Sequence, residues 1–490
     1  MKVEHDWQAH CEAEALAYSG AIQPHGALIR LDAKLCVSHV SAQFDAYSPY
    51  SAAALLGRPL PKELADVLAH SLDKLSAEPG SRCELVSVSL ADDSRVDIVI
   101  MQSNDGIIIE LMPHTDTVIS APQYSVQMNT PQNSAQALLL HQETAVLIQQ
   151  LTGFNRVMIY AFRDDGDGDV LAEARDGEVY GSYLGLRFPG SDIPRIARVL
   201  YLKNPWRLIP DSQAQPVPLL GQQQSPPDLT WSDLRSVSPV HLAYLNNMGV
   251  RASLSLPIVV AHELWGLIAC HHAEPRTLSL QVLRAASRNA RHYSLAIAAW
   301  QAASRMRFMD SLSSRFKAMR MMLLRHGSIL TAAAEIAPIL LEQLNACGLA
   351  IRFGDDWVHV GDVPAFNVLE MLDDWFERDC PEVIYSSDNL ILTHPYTGPL
   401  TVAGALALKL RTRSGDSVHV WLYRKELCSQ VEWGGNPNKP VEYQDGAFNI
   451  APRRSFDKWV DNRKGYSLGW HNEDRIVALH LRHLFMEIYA

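Results

Sequence analysis

The chain has 490 residues, enough for about three domains at roughly 100–200 residues each. Hydrophobic residues make up 47%, charged residues 20% and aromatics 8%, which excludes a disordered, collagen-like or coiled-coil chain. The formal charge of -11 with no dense Lys/Arg run excludes a nucleic-acid partner, since a polyanion is repelled by that balance.

No stretch reaches eighteen apolar residues, so no membrane span is expected. The start, Met1-Lys2-Val3-Glu4-His5-Asp6, lacks the apolar region of a signal peptide. Seven cysteines lie far apart with no CxxC pair, the usage of a reduced, cytoplasmic chain without structural zinc.

Residues 1–25 show little periodicity and read as an N-terminal arm. Period-2 runs follow at Ala27–Leu31, Leu35–Val40, Glu84–Leu90 and Val96–Ile100, the pattern of half-buried strands. Leu60–Leu75 has helical spacing between them. A small α+β domain is expected over 26–120, then a polar linker around 123–134. Gln136–Thr152 reads as a helix stopped by Gly153. Strands are expected at Arg156–Phe162, Val170–Arg175, Ala252–Val260 and Trp265–His271, giving a second domain over 130–300. A long Pro- and Gln-rich excursion, residues 203–230, interrupts it, and such excursions usually carry function.

Between Pro275 and Gly327 there is neither Gly nor Pro, and apolar residues recur every three or four positions from Val282 to Leu323. This predicts one helix over 275–327, about 75 Å long, joining two domains and packing on a partner helix. A third α+β domain is expected over 328–490. Its last helix, Glu473–Ala490, has no stop signal, so the natural product is expected to continue into an output module.

Four clusters carry candidate chemistry. In Phe188-Pro189-Gly190-Ser191-Asp192-Ile193-Pro194 two prolines frame an aspartate, fixing a tight turn that aims Asp192; a helix cap made by Asp192 is the plainer alternative. His241 and Tyr244 sit three apart on a helix opened by Ser238-Pro239. Ser253 and Ser255 share one strand face, and Cys270-His271-His272 alternates faces, which disfavours a metal site. Asp165-Gly166-Asp167-Gly168-Asp169 has Val170 where a calcium loop needs Gly, so it reads as a solvated turn. No residue is assigned to metal or to catalysis.

These blocks resemble the chromophore-binding GAF domain of phytochromes. Gly20-Ala21-Ile22-Gln23-Pro24-His25-Gly26 is similar to the start of the family's PAS domain, and Asn246–Ser253 with Leu264–His272 continue the GAF likeness. Trp433-Gly434-Gly435, then Pro452-Arg453-Arg454-Ser455-Phe456 and Trp459, resemble the tongue of the PHY domain, here residues 430–472. The chain therefore looks like a bacteriophytochrome photosensory module, with three tandem PAS/GAF-like α+β domains of antiparallel sheets and flanking helices joined by a long helix.

The resemblance implies a red/far-red photoreceptor, not an enzyme, holding a linear tetrapyrrole. Val240 stands where plant-type members carry their attaching cysteine, so the family pattern points to biliverdin IXα in thioether linkage to Cys11. The stretch after Cys11, Glu12–Ala17, lacks the family's usual Pro-Ile-His-like continuation. The other cysteines outside the GAF strands (Cys36, Cys83, Cys347, Cys380 and Cys428) are expected to be buried and inert. In the family, the Asp192 carbonyl accepts the pyrrole N–H groups, framed by Ile193 and Pro194, and His241 lies beside the ring nitrogens. Arg207 and Arg235 pair with the propionates, helped by Tyr201, Ser253 and Ser255. The D ring sits among Tyr160, Phe188 and Tyr244, with His271 on its carbonyl. Light isomerises a bond beside that ring, Asp192 exchanges partners with Arg453, and the tongue, with Trp433 and Ser455, refolds; Gly469 stands where a Pro is more typical. Implied partners are the bilin, a second copy through the long helices, and a downstream output domain or response regulator. A PAS/GAF sensor of haem or a cyclic nucleotide is the alternative.

Overall fold

The computed structural model describes residues 14–489, apart from 91–93, 117–127, 178–180, 222–224, 396–399, 428, 438–442, 445–446 and 449–455. The chain divides into two compact units, residues 1–301 with 432–459 and residues 302–431 with 460–490. No helix among the described residues is long and apolar enough to cross a membrane.

The first unit opens with β1 (Ala21–Ile22), β2 (Ala27–Leu31), β3 (Val37–Ser41), β4 (Arg82–Ser89), β5 (Arg95–Gln102) and β6 (Ile107–Pro113), with α1 (Ala52–Leu55) and α2 (Lys62–Lys74) between β3 and β4. They form an antiparallel sheet in the order β1-β11-β3-β2-β6-β5-β4. The inserted strand β11 (Val217–Gly221) comes from the 203–230 excursion. It pairs with β3 on one side and β1 on the other. Part of that excursion therefore ties two domains together.

β2 is not half-buried as its pattern suggested, because all five of its residues are buried. The sheet separates two cores. Ile29, Leu31, Ile98, Ile100 and Ile109 face α2 through Leu64 and Leu68, whereas Leu28, Val99, Met101 and Ile108 face Phe154, Ile159 and Tyr293. Apolar residues are needed on both faces, which erases the alternation.

A second sheet runs β10 (Arg207–Ile209), β12 (Ala252–Val260), β13 (Glu263–His272), β7 (Arg156–Phe162), β8 (Gly168–Arg175) and β9 (Arg187–Phe188). One face is covered by α3 (Ser134–Thr152). Asn133 caps its start through the Gln136 N–H at 2.9 Å, and Gly153 ends it at φ 65°, a left-handed value that suits glycine. The first part of α6 (Leu280–His326) lies in the same core through Leu283, Ala286, Ala290, Tyr293 and Ile297. The Tyr293 hydroxyl and His141 Nδ1 meet at 2.6 Å. The opposite face is left for α4 (Arg195–Lys203) and α5 (Pro239–Asn247), and the cavity lies there.

In the second unit, α7 (Ile329–Gln343), α8 (Phe366–Arg378), α9 (Leu390–Thr393) and α10 (Asn472–Tyr489) surround an antiparallel sheet ordered β15-β14-β18-β17-β16. Those strands are β14 (Gly348–Phe353), β15 (Asp356–Gly361), β16 (Ile384–Ser387), β17 (Gly404–Arg411) and β18 (Ser417–Arg424). α7 and α10 cover one face through Ile336, Leu340, Leu481 and Phe485. α8 covers the other through Leu369, Leu372 and Phe376. Cys380 is buried, but Cys36, Cys83 and Cys347 are only partly buried, because they sit at strand ends and edges. Cys428 lies outside the described residues.

Candidate functional site

Strand register explains why one sheet face can bind something. Ser253 and Ser255 of β12 stand opposite His271 and Ala269 of β13, and Ala269 and Leu267 stand opposite Met158 and Tyr160 of β7. Side chains two apart share a face, so these seven line one cavity. Cys270 points to the opposite face into the core, where burial pushes its thiol pKa up. Chelation by adjacent Cys270 and His271 is thereby excluded.

Gly190–Asp192 form a single 3-10 turn, and Pro194, not Asp192, occupies the cap position of α4. The helix-cap alternative for Asp192 is thus set aside. Arg198 staples the turn by donating to the carbonyls of Ile193 at 2.8 Å, Gly190 at 3.1 Å and Gly166 at 2.7 Å. The acidic loop is also spent on neighbours and is not a merely solvated turn. Asp167 accepts the Gly190 N–H at 3.0 Å, while Asp169 holds Arg163 at 2.8 Å and Arg187 at 3.1 Å.

Asp192, Ile193 and Pro194 form one wall of the cavity, and α5 forms another with His241 and Tyr244. The two rings are stacked, 6.0 Å apart and 11° from parallel. The Tyr244 hydroxyl donates to Asp192 Oδ2 at 3.2 Å. Ser238 precedes Pro239 at the helix start, and its hydroxyl donates to Glu14 Oε2 at 2.8 Å. The N-terminal arm is thereby fastened at the cavity.

One end is cationic. Arg207 stands opposite Ser255 in the β10–β12 register. It donates to the carbonyls of Asp233 at 3.1 Å, Ser236 at 3.1 Å and Arg235. Arg235 is buried and donates to the carbonyls of Leu229 and Thr230, each at 3.4 Å. Burial and then Arg207 push the Arg235 pKa down to about 9. The Tyr201 hydroxyl reaches Ser255 Oγ at 3.4 Å. Burial, followed by Arg207, holds His241 down at about 4. His271 is lowered to about 3, first by burial and then by Arg156 and His241. A cavity that resists further positive charge favours an anion.

The other end is aromatic. Tyr160 and Phe188 lie 6.3 Å apart, and Tyr183 packs edge-on against Phe188 at 5.7 Å. The Tyr160 hydroxyl and His271 Nδ1 are buried with no hydrogen-bond partner among the described residues, and both residues line the cavity. Such atoms are costly unless a bound molecule satisfies them. Phe456 packs edge-on against Tyr244 at 5.0 Å. Trp433 bridges in parallel to Arg187, whose guanidinium lies 5.7 Å from the indole.

Tyr160, Phe188, Asp192, Ile193, Pro194, Tyr201, Arg207, Arg235, His241, Tyr244, Ser253, Ser255 and His271 all line this one cavity. Cys11, Arg453 and Ser455 lie outside the described residues. Sequence reasoning missed Glu14, Tyr183 and Ser238 in the lining and Arg198 behind the turn; of these only Ser238, before a helix-opening proline, carried a local signal. Among the described residues, no three His, Cys, Asp or Glu side chains group as metal ligands.

Comparison with known proteins agrees along the chain. Family models for the PAS fold, the GAF domain and the phytochrome region match residues 11–114, 139–297 and 315–490. Cyanobacterial phytochrome B of Nostoc sp. is 32% identical over 97% of this chain and 65% of its own length. The bacteriophytochrome of Pseudomonas aeruginosa is 31% identical over 98% of this chain and 66% of its own. The chain thus spans about 65% of the length of these curated relatives. The photosensory core module of Stigmatella aurantiaca phytochrome superposes with a TM-score of 0.80 at 30% identity, covering 98% of this chain and 97% of that one. A bacteriophytochrome from R. palustris gives a TM-score of 0.78 at 28% identity over 98% and 99%. With PAS, GAF and phytochrome-region matches in order and a solved photosensory core aligned almost end to end, this chain belongs to the phytochrome family.

Proposed function

We propose that this chain is the light-sensing module of a red/far-red photoreceptor, and that its cavity holds a bilin, biliverdin IXα, through a thioether to Cys11. The observation that carries the reading is the cavity's polarity: Arg207 and Arg235 at one end, and toward the other two buried polar atoms, Tyr160 Oη and His271 Nδ1, with no partner among the described residues. A linear tetrapyrrole has that chemistry, with two propionate anions, a row of pyrrole N–H groups and a terminal lactam carbonyl. When bound it would supply red absorption and a double bond that isomerises with light.

In this reading Arg207 and Arg235 neutralise the propionates with charge-assisted hydrogen bonds, and Tyr201, Ser253 and Ser255 donate as neutral hydroxyls. Asp192 offers its backbone carbonyl to the pyrrole N–H groups, with Ile193 and Pro194 holding the turn. His241 lies against the ring plane. His271 and Tyr160 satisfy the terminal ring, with Phe188 and Tyr244 around it. Glu14, three residues after Cys11, lines the cavity, and three residues of chain span at most about 11 Å, which supports assigning the thioether to this thiol. Arg453 is the proposed partner that Asp192 exchanges when light changes the pocket, with Trp433 and Ser455 in the refolding tongue. The module itself performs no catalysis in this reading. Its signal passes along α6, dimerised with a second copy, to an output domain or response regulator.

Adding biliverdin to the purified chain should give a red-absorbing species that red light shifts to the far red. The pigment should stay attached in denaturant. Cys11→Ser should keep the colour and lose the covalent bond. A colourless wild-type chain sinks the reading, and an adduct that survives Cys11→Ser sinks the assignment of that thiol.

A further inference from the structure

Residues 232–236 are held from both sides. On one side is Glu110 of β6, which is fully buried. Its Oε1 accepts from the Ser232 hydroxyl and from the Leu234 N–H at 3.1 Å, and its Oε2 accepts from the Asp233 N–H at 3.3 Å. On the other side Arg207 donates to the carbonyls of Asp233, Arg235 and Ser236. The cationic end of the cavity is therefore fixed, through five residues of chain, by a carboxylate on the other sheet. Arg82 of β4 reinforces it, gripping the Asp233 carboxylate at 3.1 and 2.5 Å while its guanidinium lies 4.5 Å from the Trp206 ring.

We infer that Glu110 is a positioning residue for the anion-binding end of the pocket, and that its grip on residues 232–234 sets how firmly Arg207 is aimed at a bound carboxylate. This rests on the reading that the cavity takes a bilin. The charged groups facing Glu110 are Asp233, Arg82 and Arg207, with Glu84 and Arg284 beyond Arg82. Burial and the Asp233 charge push Glu110 up to about 7, against the pull of Ser232, the Leu234 N–H and Arg82. Above that pH the ionised carboxylate accepts all three donors. Below it, one oxygen carries a proton, the grip on residues 232–234 slackens, and Arg207 is less well fixed.

The test is biliverdin affinity of the whole chain, by absorbance titration from pH 5.5 to 8.5. Wild type should bind about fivefold more tightly above the step than below it, the effect of roughly one hydrogen bond. Glu110→Gln, which keeps the shape and cannot ionise, should stay at the low-pH level throughout. Ser232→Ala removes a donor to the ionised form and should move the midpoint upward. A folded Glu110→Gln that keeps the wild-type step overturns the inference, as does a Ser232→Ala midpoint that stays or falls. Should Glu110→Gln fail to fold, Ser232→Ala decides. If wild type takes up no biliverdin, the bilin reading fails separately. Trp206 fluorescence, taken as the difference from Trp206→Phe, then judges Glu110 in the ligand-free chain by the same step and the same shift.

Discussion

Tyr244 donates its phenolic hydrogen to the Asp192 carboxylate across 3.2 Å, and this bond joins the cavity wall made by the Pro-framed turn to the wall made by the His241 helix. The same ring is stacked on His241 and stands edge-on to Phe456. One side chain thus touches the turn, the pocket histidine and Phe456. A change in any of the three alters what Tyr244 can hold.

Tyr244→Phe keeps both ring contacts and removes the hydroxyl. A neutral-to-charged hydrogen bond contributes about 1–2 kcal/mol. Biliverdin uptake should stay within about twofold of wild type, since the packing surface is retained. If Asp192 exchanges this bond for Arg453 in the light cycle as proposed, the thermal return after illumination should change by about five- to tenfold. Absorbance decay in the dark reads this directly. Identical decay curves for the two proteins would mean that the bond is equally strong in the illuminated state and at the barrier to return.

The buried histidines predict an acid-sensitive fold in the ligand-free chain. His25, His141 and His241 are held near 4, and His271 near 3, in each case mainly by burial. An unfolded chain takes up these protons at the ordinary value near 6.5, so it binds more protons than the folded chain between about pH 4 and 6.5. Stability therefore rises with pH across that window and falls as acid is added. Glu110, raised toward neutrality, acts in the opposite direction over part of the range. Each histidine should cost about 1–2 kcal/mol between pH 7 and pH 5. Urea midpoints of the first unit should drop accordingly, and His271→Gln should shrink the drop by one share. A pH-independent midpoint would show that these rings are solvated.

Long elements were legible because their periodicity reports packing against a single core. Strands Arg156–Phe162 and Ala252–Val260 were read with the bounds they have, and the Gly- and Pro-free run is helical from Leu280 to His326. β6 escaped notice because Ile108 packs into one core while Ile109 and Leu111 pack into the other, with the buried Glu110 between them, which leaves no alternation to read. β1, β9, β10 and β11 are two to five residues long and exist only through their tertiary partners. The β12–β13 turn uses Ala261 and His262 at φ 51° and 67°, where an Asn-Gly pair would have announced it. The lining residues came from motif resemblance. The supports did not, since Arg198 acts on a carbonyl 32 positions away and Glu110 on a hydroxyl 122 positions away. No local pattern encodes such pairs.

Gly434 follows Trp433, and the strand they share meets the aromatic end of the cavity at Arg187 and Phe188. A Cβ built there would lie 2.4 Å from Phe188 Cζ, well inside contact distance, and Phe188 is itself buried between Tyr160 and Tyr183. The ring cannot swing aside without disturbing two neighbours. Gly434→Ala should therefore push this strand off Phe188, at a cost of about 1–3 kcal/mol of the kind seen for overpacked sites. Cleavage at Trp433 should become faster than in wild type while cleavage elsewhere is unchanged. If Phe188 borders the bound pigment, the red absorption band should shift as well. Phe188→Leu in the same chain should restore the protection, because the smaller side chain vacates the volume the new methyl needs. A Gly434→Ala chain with wild-type protection would mean that the backbone yields here at no cost and that the close approach of Gly434 to Phe188 has no structural role.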